Sequence, residues 1–196
     1  MPKKLNNSEL KKGYNHPIVF DLFDTLLDES SVYKEFFFHI AKKYHIEMDA
    51  GEFVKRLFNN QHEFIFGNSS KTYKEITKLS YISLIKQADT NDVELLFNLY
   101  SRMDFFPGIV ELLLKLEKRH DLFILTNIDN DLLEKVNLSA KSVVRFKKIF
   151  TAEDNGAYKP NPKAYQIAVD YINLPKERII YVSSNDWDIK KSKEFG

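Results

Sequence analysis

The sequence predicts a doubly wound α/β fold, a parallel sheet covered by helices on both faces, with an all-helical block inserted after the first strand. Three observations carry that prediction. Short apolar runs end in polar residues, amphipathic segments separate most of them, and one long stretch holds helical periodicity alone. Strands alternating with helices make a parallel sheet buried on both sides.

The first run is residues 17–21, Pro-Ile-Val-Phe-Asp, a buried-strand pattern with a carboxylate at its C-terminal end. Residues 122–126 repeat it and end in Thr126-Asn127, and residues 178–183 repeat it before Ser183-Ser184-Asn185. A fourth candidate strand is 148–152. Between them, apolar positions 109, 112, 113 and 116 fit one helix face. Pro162 opens another helix, with Ala164, Ile167, Ala168 and Tyr171 on one side. From 30 to 103 no clear strand is visible, and 32–44, 52–66, 73–86 and 93–100 read as amphipathic helices. The expected organisation is a flexible extension at 1–16, a Rossmann-like core at 17–29 and 104–196, and a helical cap at 30–103.

Composition narrows the function classes. Apolar residues make up 43% of 196, and no stretch approaches the ~18 residues of a membrane span. The first fifteen residues are polar and lysine-rich, unlike a signal peptide, so a cytoplasmic protein is expected. The absence of cysteine excludes disulfides and thiolate chemistry, and the five histidines show no metal-ligand spacing. With 29 basic and 28 acidic residues interspersed, no basic face for nucleic acid is expected. Aromatics exposed on the cap would suit a homodimer.

In a parallel sheet, ligands gather at the carboxyl ends of strands, which is where the polar endings cluster. Asp21 can attack an electrophile if a cation offsets its charge, and Thr25 offers a hydroxyl to hold it. Lys159, in a loop stiffened by Pro160 and Pro162, would keep Asp21 ionised and oriented. Ser183, Asn185 and Asp188 could position water for ester hydrolysis, and Trp187 could wall off the site. Thr126 and Asn127 could donate hydrogen bonds to a developing anion.

Taken together and in this order, four segments resemble the motifs of the haloacid dehalogenase superfamily. They are 20–27 (Phe-Asp-Leu-Phe-Asp-Thr-Leu-Leu), 124–127 (Ile-Leu-Thr-Asn), 158–160 (Tyr-Lys-Pro) and 182–188 (Val-Ser-Ser-Asn-Asp-Trp-Asp). The resemblance implies an aspartyl ester on Asp21. Superfamily phosphatases carry a second Asp two residues after the nucleophile, where this chain has Phe23, and a Mg²⁺-binding Asp where it has Ser184. Both departures resemble the L-2-haloacid dehalogenase branch, as does Tyr165, six residues after Lys159. That branch implies a small anionic substrate, contacts to it or to Asp21 from Phe23 and Tyr165, and no cofactor. The alternatives are a phosphatase using Mg²⁺ on Asp21 and Asp188, or a non-catalytic binding module. The branch also uses a cap arginine where this sequence has Phe58, leaving Arg56 as the nearby candidate, and it usually has glycine where Asp24 stands. The superfamily usually adds a strand beyond residue 196, so a shortened sheet or a truncated form is expected.

Overall fold

Side-chain alternation along the strands sets up a two-faced core. The computed structural model describes residues 16–67, 70–136, 138 and 144–196. The expected extension therefore falls almost wholly outside the described residues. Four parallel strands, β1 (Ile18–Phe20), β2 (Leu122–Leu125), β3 (Phe146–Phe150) and β4 (Ile180–Val182), lie in the order β3-β2-β1-β4. Ile18 and Phe20 pair with Leu122 and Ile124 on one face, while Val19, Phe123 and Leu125 point to the other. The fourth strand sits slightly earlier than its expected 148–152, because Phe146 to Phe150 is the segment in register with β2.

Helices cover each face. Helices α5 (Ile109–Leu116) and α6 (Asn130–Lys135) bring Leu113 and Leu132 to the Ile18 side. On the Val19 side, α8 (Pro162–Ile172) contributes Tyr165 and Ala168, and α9 (Asp186–Phe195) contributes Phe195. A short α7 (Ala152–Asn155) follows β3. The edges differ from the centre: β3 exposes Lys147 and Lys148, charges that discourage further pairing, and Ile180 of β4 is 41% exposed.

Between β1 and α5 lie α1 (Glu29–Tyr44), α2 (Ala50–Phe66), α3 (Tyr73–Leu84), α4 (Asp92–Leu99) and a 3₁₀ turn at Tyr100–Arg102. Their caps are readable in the chain. Asp28 and Asp49 accept the first-turn amides of α1 and α2, and Thr72 with Glu75 forms a reciprocal capping box on α3. Buried Phe36, Phe53, Tyr81 and Phe97 fill the block, and the same apolar cluster runs on through Leu22 and Leu27 into the sheet. No helix among the described residues is long and apolar enough to cross a membrane.

This layering makes a stability prediction. Ile124→Ala empties a fully buried position in the sheet interior and is expected to cost about 2–5 kcal/mol. Ile180→Ala at the exposed edge should cost about 0.5 kcal/mol or less. Denaturant midpoints of the two variants check the contrast.

Candidate active site

The carboxyl ends of β1, β2 and β4 converge on Asp21. Its backbone N–H donates to Val182 O at 2.9 Å, which continues the β1–β4 ladder one residue beyond the strand. The residue is only 5% exposed and its carboxylate is fully engaged. Oδ1 accepts from Lys159 Nζ at 2.7 Å. Oδ2 accepts from Asn185 Nδ2 at 2.8 Å, Thr25 Oγ1 at 3.0 Å and Ser183 Oγ at 3.3 Å.

Lys159 lies 2% exposed, and its three N–H groups go to Asp21, to Asp188 Oδ2 at 2.8 Å and to the Tyr181 hydroxyl at 2.9 Å. Asn127 fixes the lysine's backbone from both sides: its Oδ1 accepts from Lys159 N at 2.7 Å and its Nδ2 donates to Lys159 O at 2.9 Å. Burial alone would lower the Lys159 pKa, but the charges of Asp21 and Asp188 and their hydrogen bonds more than offset it, leaving it above the ordinary lysine value. Asp188, with no exposed surface, sits in the first turn of α9, where a carboxylate is favoured by the helix dipole. It also accepts from Tyr165 at 2.6 Å and Tyr181 at 2.7 Å. Desolvation first, and the Asp188 charge with it, hold both phenols above the usual tyrosine range.

Several expected roles change in the structure. Arg56 does not face the site: its side chain is 53% exposed and bonds Glu52 at 2.7 Å one helical turn away. Phe58 lines the cavity instead. Tyr165 reaches Asp188 rather than Asp21 or the cavity, because α8 aims its hydroxyl beneath the Lys159 ammonium. The Asn127 amide is engaged by the lysine backbone, which makes it a positioning group. Asp24 stands where the resemblance led us to expect glycine. It occupies a left-handed turn at φ 53°, with its carboxylate accepting from Ser30 N at 2.9 Å and Ser30 Oγ at 2.8 Å, and it borders the cavity. Phe23, Thr126 and Trp187 do line the cavity.

Three further groups stand at the site without having been expected from the sequence. Tyr181 could have been found from the two-residue period that puts it on the same side of β4 as Ser183. Glu29 was hidden because an acid in a helix's first turn usually serves the helix dipole. Here it is 6% exposed and borders the cavity, with Oε1 accepting from Tyr100 at 2.9 Å and Tyr73 at 3.1 Å. Burial, then the Asp24 charge, push its pKa up to about 8. His62 also lines the cavity, stacked on Phe66 and edge-on to Trp187.

The cavity itself measures about 90 Å³ and is shared by the sheet ends and the helical block. Asp129 joins the two parts by accepting the Tyr73 and Lys74 amides of α3 at 2.9 and 3.0 Å. The donor set does not suit a divalent cation. Asp188 spends its oxygens on two phenols and an ammonium, and no group of three His, Asp or Glu converges among the described residues.

A family model described as haloacid dehalogenase-like hydrolase matches residues 18–196. Among curated relatives, (S)-2-haloacid dehalogenase of Pseudomonas putida is 24% identical over 189 residues, covering 91% of this chain and 80% of that one. Haloacetate dehalogenase H-2 of Moraxella sp. (strain B) is 32% identical over 98 residues, and that match spans 50% of this chain but only 44% of the relative. The solved L-2-haloacid dehalogenase from Xanthobacter autotrophicus with chloropropionic acid covalently bound superposes with a TM-score of 0.77. It shares 18% identity, with 93% of this chain and 75% of that one covered, and shows the shared fold.

The buried charges can be tested through stability. Lys159→Met leaves two buried carboxylates without their shared cation and should cost about 3–5 kcal/mol, partly recovered by adding Asp188→Asn, as read from denaturant unfolding. The raised folded pKa of Glu29 gives a stability contribution that is complete below the ordinary carboxyl value of 4.5 and is lost as pH rises through about 8. Thermal melts from pH 5 to 9 should therefore fall in the native protein and stay flatter in Glu29→Gln.

Proposed function

The chain belongs to the haloacid dehalogenase-like hydrolase family, and from that premise we propose that it is a metal-independent hydrolase most like the 2-haloacid dehalogenases. It would displace halide from a carbon next to a carbonyl group, through an ester on Asp21. The observation that carries the reading is the single ammonium of Lys159, which donates to Asp21 in a buried site while Asp188 and Tyr181 accept from its other N–H groups.

The two oxygens of Asp21 are not equivalent. Oδ2 already accepts three hydrogen bonds, so Oδ1, bonded by Lys159 alone, is the better nucleophile. In the first step Oδ1 forms a bond to the substrate carbon and halide leaves with the electron pair. In the second, water attacks Cγ of the ester. The developing charge on Oδ2 is met by Asn185, Thr25 and Ser183, donors already in place before reaction. The Cγ–Oδ1 bond then breaks, Oδ1 departs as the alkoxide oxygen of the product and takes a proton from Lys159, and one proton of the attacking water returns to the Lys159–Asp188 pair while the water oxygen stays on Asp21. The net change is one water consumed, with an alcohol, a halide and a proton released. Phe23, Phe58 and Trp187 exclude bulk water around the ester.

A single turnover in ¹⁸O-water, with enzyme in excess over a panel of 2-halocarboxylic acids and their amides, tests the reading. The label should enter the peptide containing Asp21 and be absent from the product alcohol. EDTA should leave halide release unchanged, and Asp21→Asn should abolish it. Label appearing in the product with Asp21 unlabelled would rule out the ester route.

A further inference from the structure

Among the described residues, the cavity beside Asp21 offers no free cation to a substrate. The ammonium that reaches it, on Lys159, has all three N–H groups committed to Asp21, Asp188 and Tyr181. Arg56 pairs with Glu52 on the outer face of α2. Acidic groups, by contrast, border the cavity from several sides: Asp21 and Asp24 from the turn after β1, and Glu29 from α1. What remains for recognition is uncharged. Thr126, 1% exposed, borders the cavity, and its buried hydroxyl has no hydrogen-bond partner among the described residues. Glu29, which also borders the cavity, receives both of its phenol donors on Oε1.

We propose that this cavity selects an uncharged 2-halocarboxamide over the corresponding carboxylate anion, with Thr126 and Glu29 as the recognising groups. This inference rests on the proposed aspartyl-ester reading and names the substrate class for that same site. A carboxylate placed here would meet acidic neighbours at a few ångströms without a compensating cation, a repulsion worth about tenfold or more in kcat/KM. An amide carries no charge; its carbonyl accepts from Thr126, and its N–H donates to Glu29 once that carboxyl is ionised. The size of the cavity, about 90 Å³, suits a compound of very few carbons.

The charge on Glu29 adjusts this selectivity. It is faced by Asp21 and Asp24 from the β1 turn, Tyr73 from α3 and Tyr100 from the 3₁₀ turn. Behind them Tyr33 of α1 bonds Tyr100, and His62 of α2 lines the same cavity, its pKa lowered by burial. Desolvation and the two aspartates keep Glu29 protonated at neutral pH, so raising the pH past about 8 adds another negative charge to the cavity.

The experiment measures chloride release from chloroacetamide and chloroacetate by the full chain, in which the absence of cysteine removes thiol alkylation as a background. Because the two compounds differ in intrinsic reactivity, changes in the ratio of their kcat/KM values are the readout. We expect the amide to be preferred in the native protein, and the ratio to rise about tenfold between pH 7 and 9. In Glu29→Gln the ratio should stay flat with pH, and in Phe58→Arg it should fall by about tenfold as a cation enters the cavity. A ratio with the same pH course in native protein and Glu29→Gln, or one that Phe58→Arg leaves unchanged, overturns the proposal and leaves the ester mechanism standing. If neither compound is consumed and Asp21 acquires no ¹⁸O, both the proposal and the ester reading fall.

Discussion

One buried ammonium between two buried carboxylates constrains the rest of this molecule. Lys159 and Asp188 are almost without solvent contact, and Asp21 is nearly so. Charges so placed are tolerated only when each is paired and hydrogen-bonded, since an unpaired one costs several kcal/mol. Satisfying all three at once requires the ends of β1 and β4, the start of α9 and the loop before α8 to meet within hydrogen-bond distance. The phenols of Tyr165 and Tyr181 complete the set from beneath. The parallel sheet is the frame that makes such a meeting possible, because it presents consecutive strand ends side by side.

The helical block closes that frame with a second buried polar network. Tyr33, Tyr73 and Tyr100 link hydroxyl to hydroxyl around Glu29, and Gln61 donates to Tyr33 at 3.2 Å. Such a network is stable only when its members are satisfied together, so it holds the block in one arrangement over the cavity. Asp129, reaching up from the end of β2, receives two amides of α3 and ties that arrangement to the sheet. The cavity is thus walled on one side by a charged cluster and on the other by a largely neutral one.

How much of this was legible in the chain follows from what kind of signal each feature leaves. The sheet was legible because its central strands are buried on both faces, and a continuous apolar run such as 122–125, bounded by polar residues, is the pattern such burial demands. The convergence of Asp21, Lys159, Ser183, Asn185 and Asp188 was legible because each polar residue breaks an apolar run or stiff loop at a strand end. Direction was not. Whether Tyr165 points to Asp21 or to Asp188 depends on the rotation of α8, and no period in the sequence records that angle. Arg56 and Phe58 differ by two positions, about half a helical turn, and only packing of Leu57 into the block decides which one faces inward. Glu29 left no distinct trace, since the same letter in the same place usually marks a solvated first turn.

The charge count of the central cluster bears on what a second carboxylate does beside the proposed nucleophile. With Asp21, Asp188 and Lys159 ionised, the cluster carries one net negative charge in a nearly dry site. A lysine paired with Asp21 alone would mask the nucleophile it is meant to orient. By sharing the ammonium with Asp188, the site loosens that pairing while keeping every N–H satisfied. In the proposed ester on Asp21, the remaining Lys159–Asp188 pair is neutral, and the unit of charge has gone out with the leaving group. Burial then favours the ester electrostatically, and hydrolysis must regenerate the buried anion. The three donors on Oδ2, fixed before reaction, are what lower the cost of that second step.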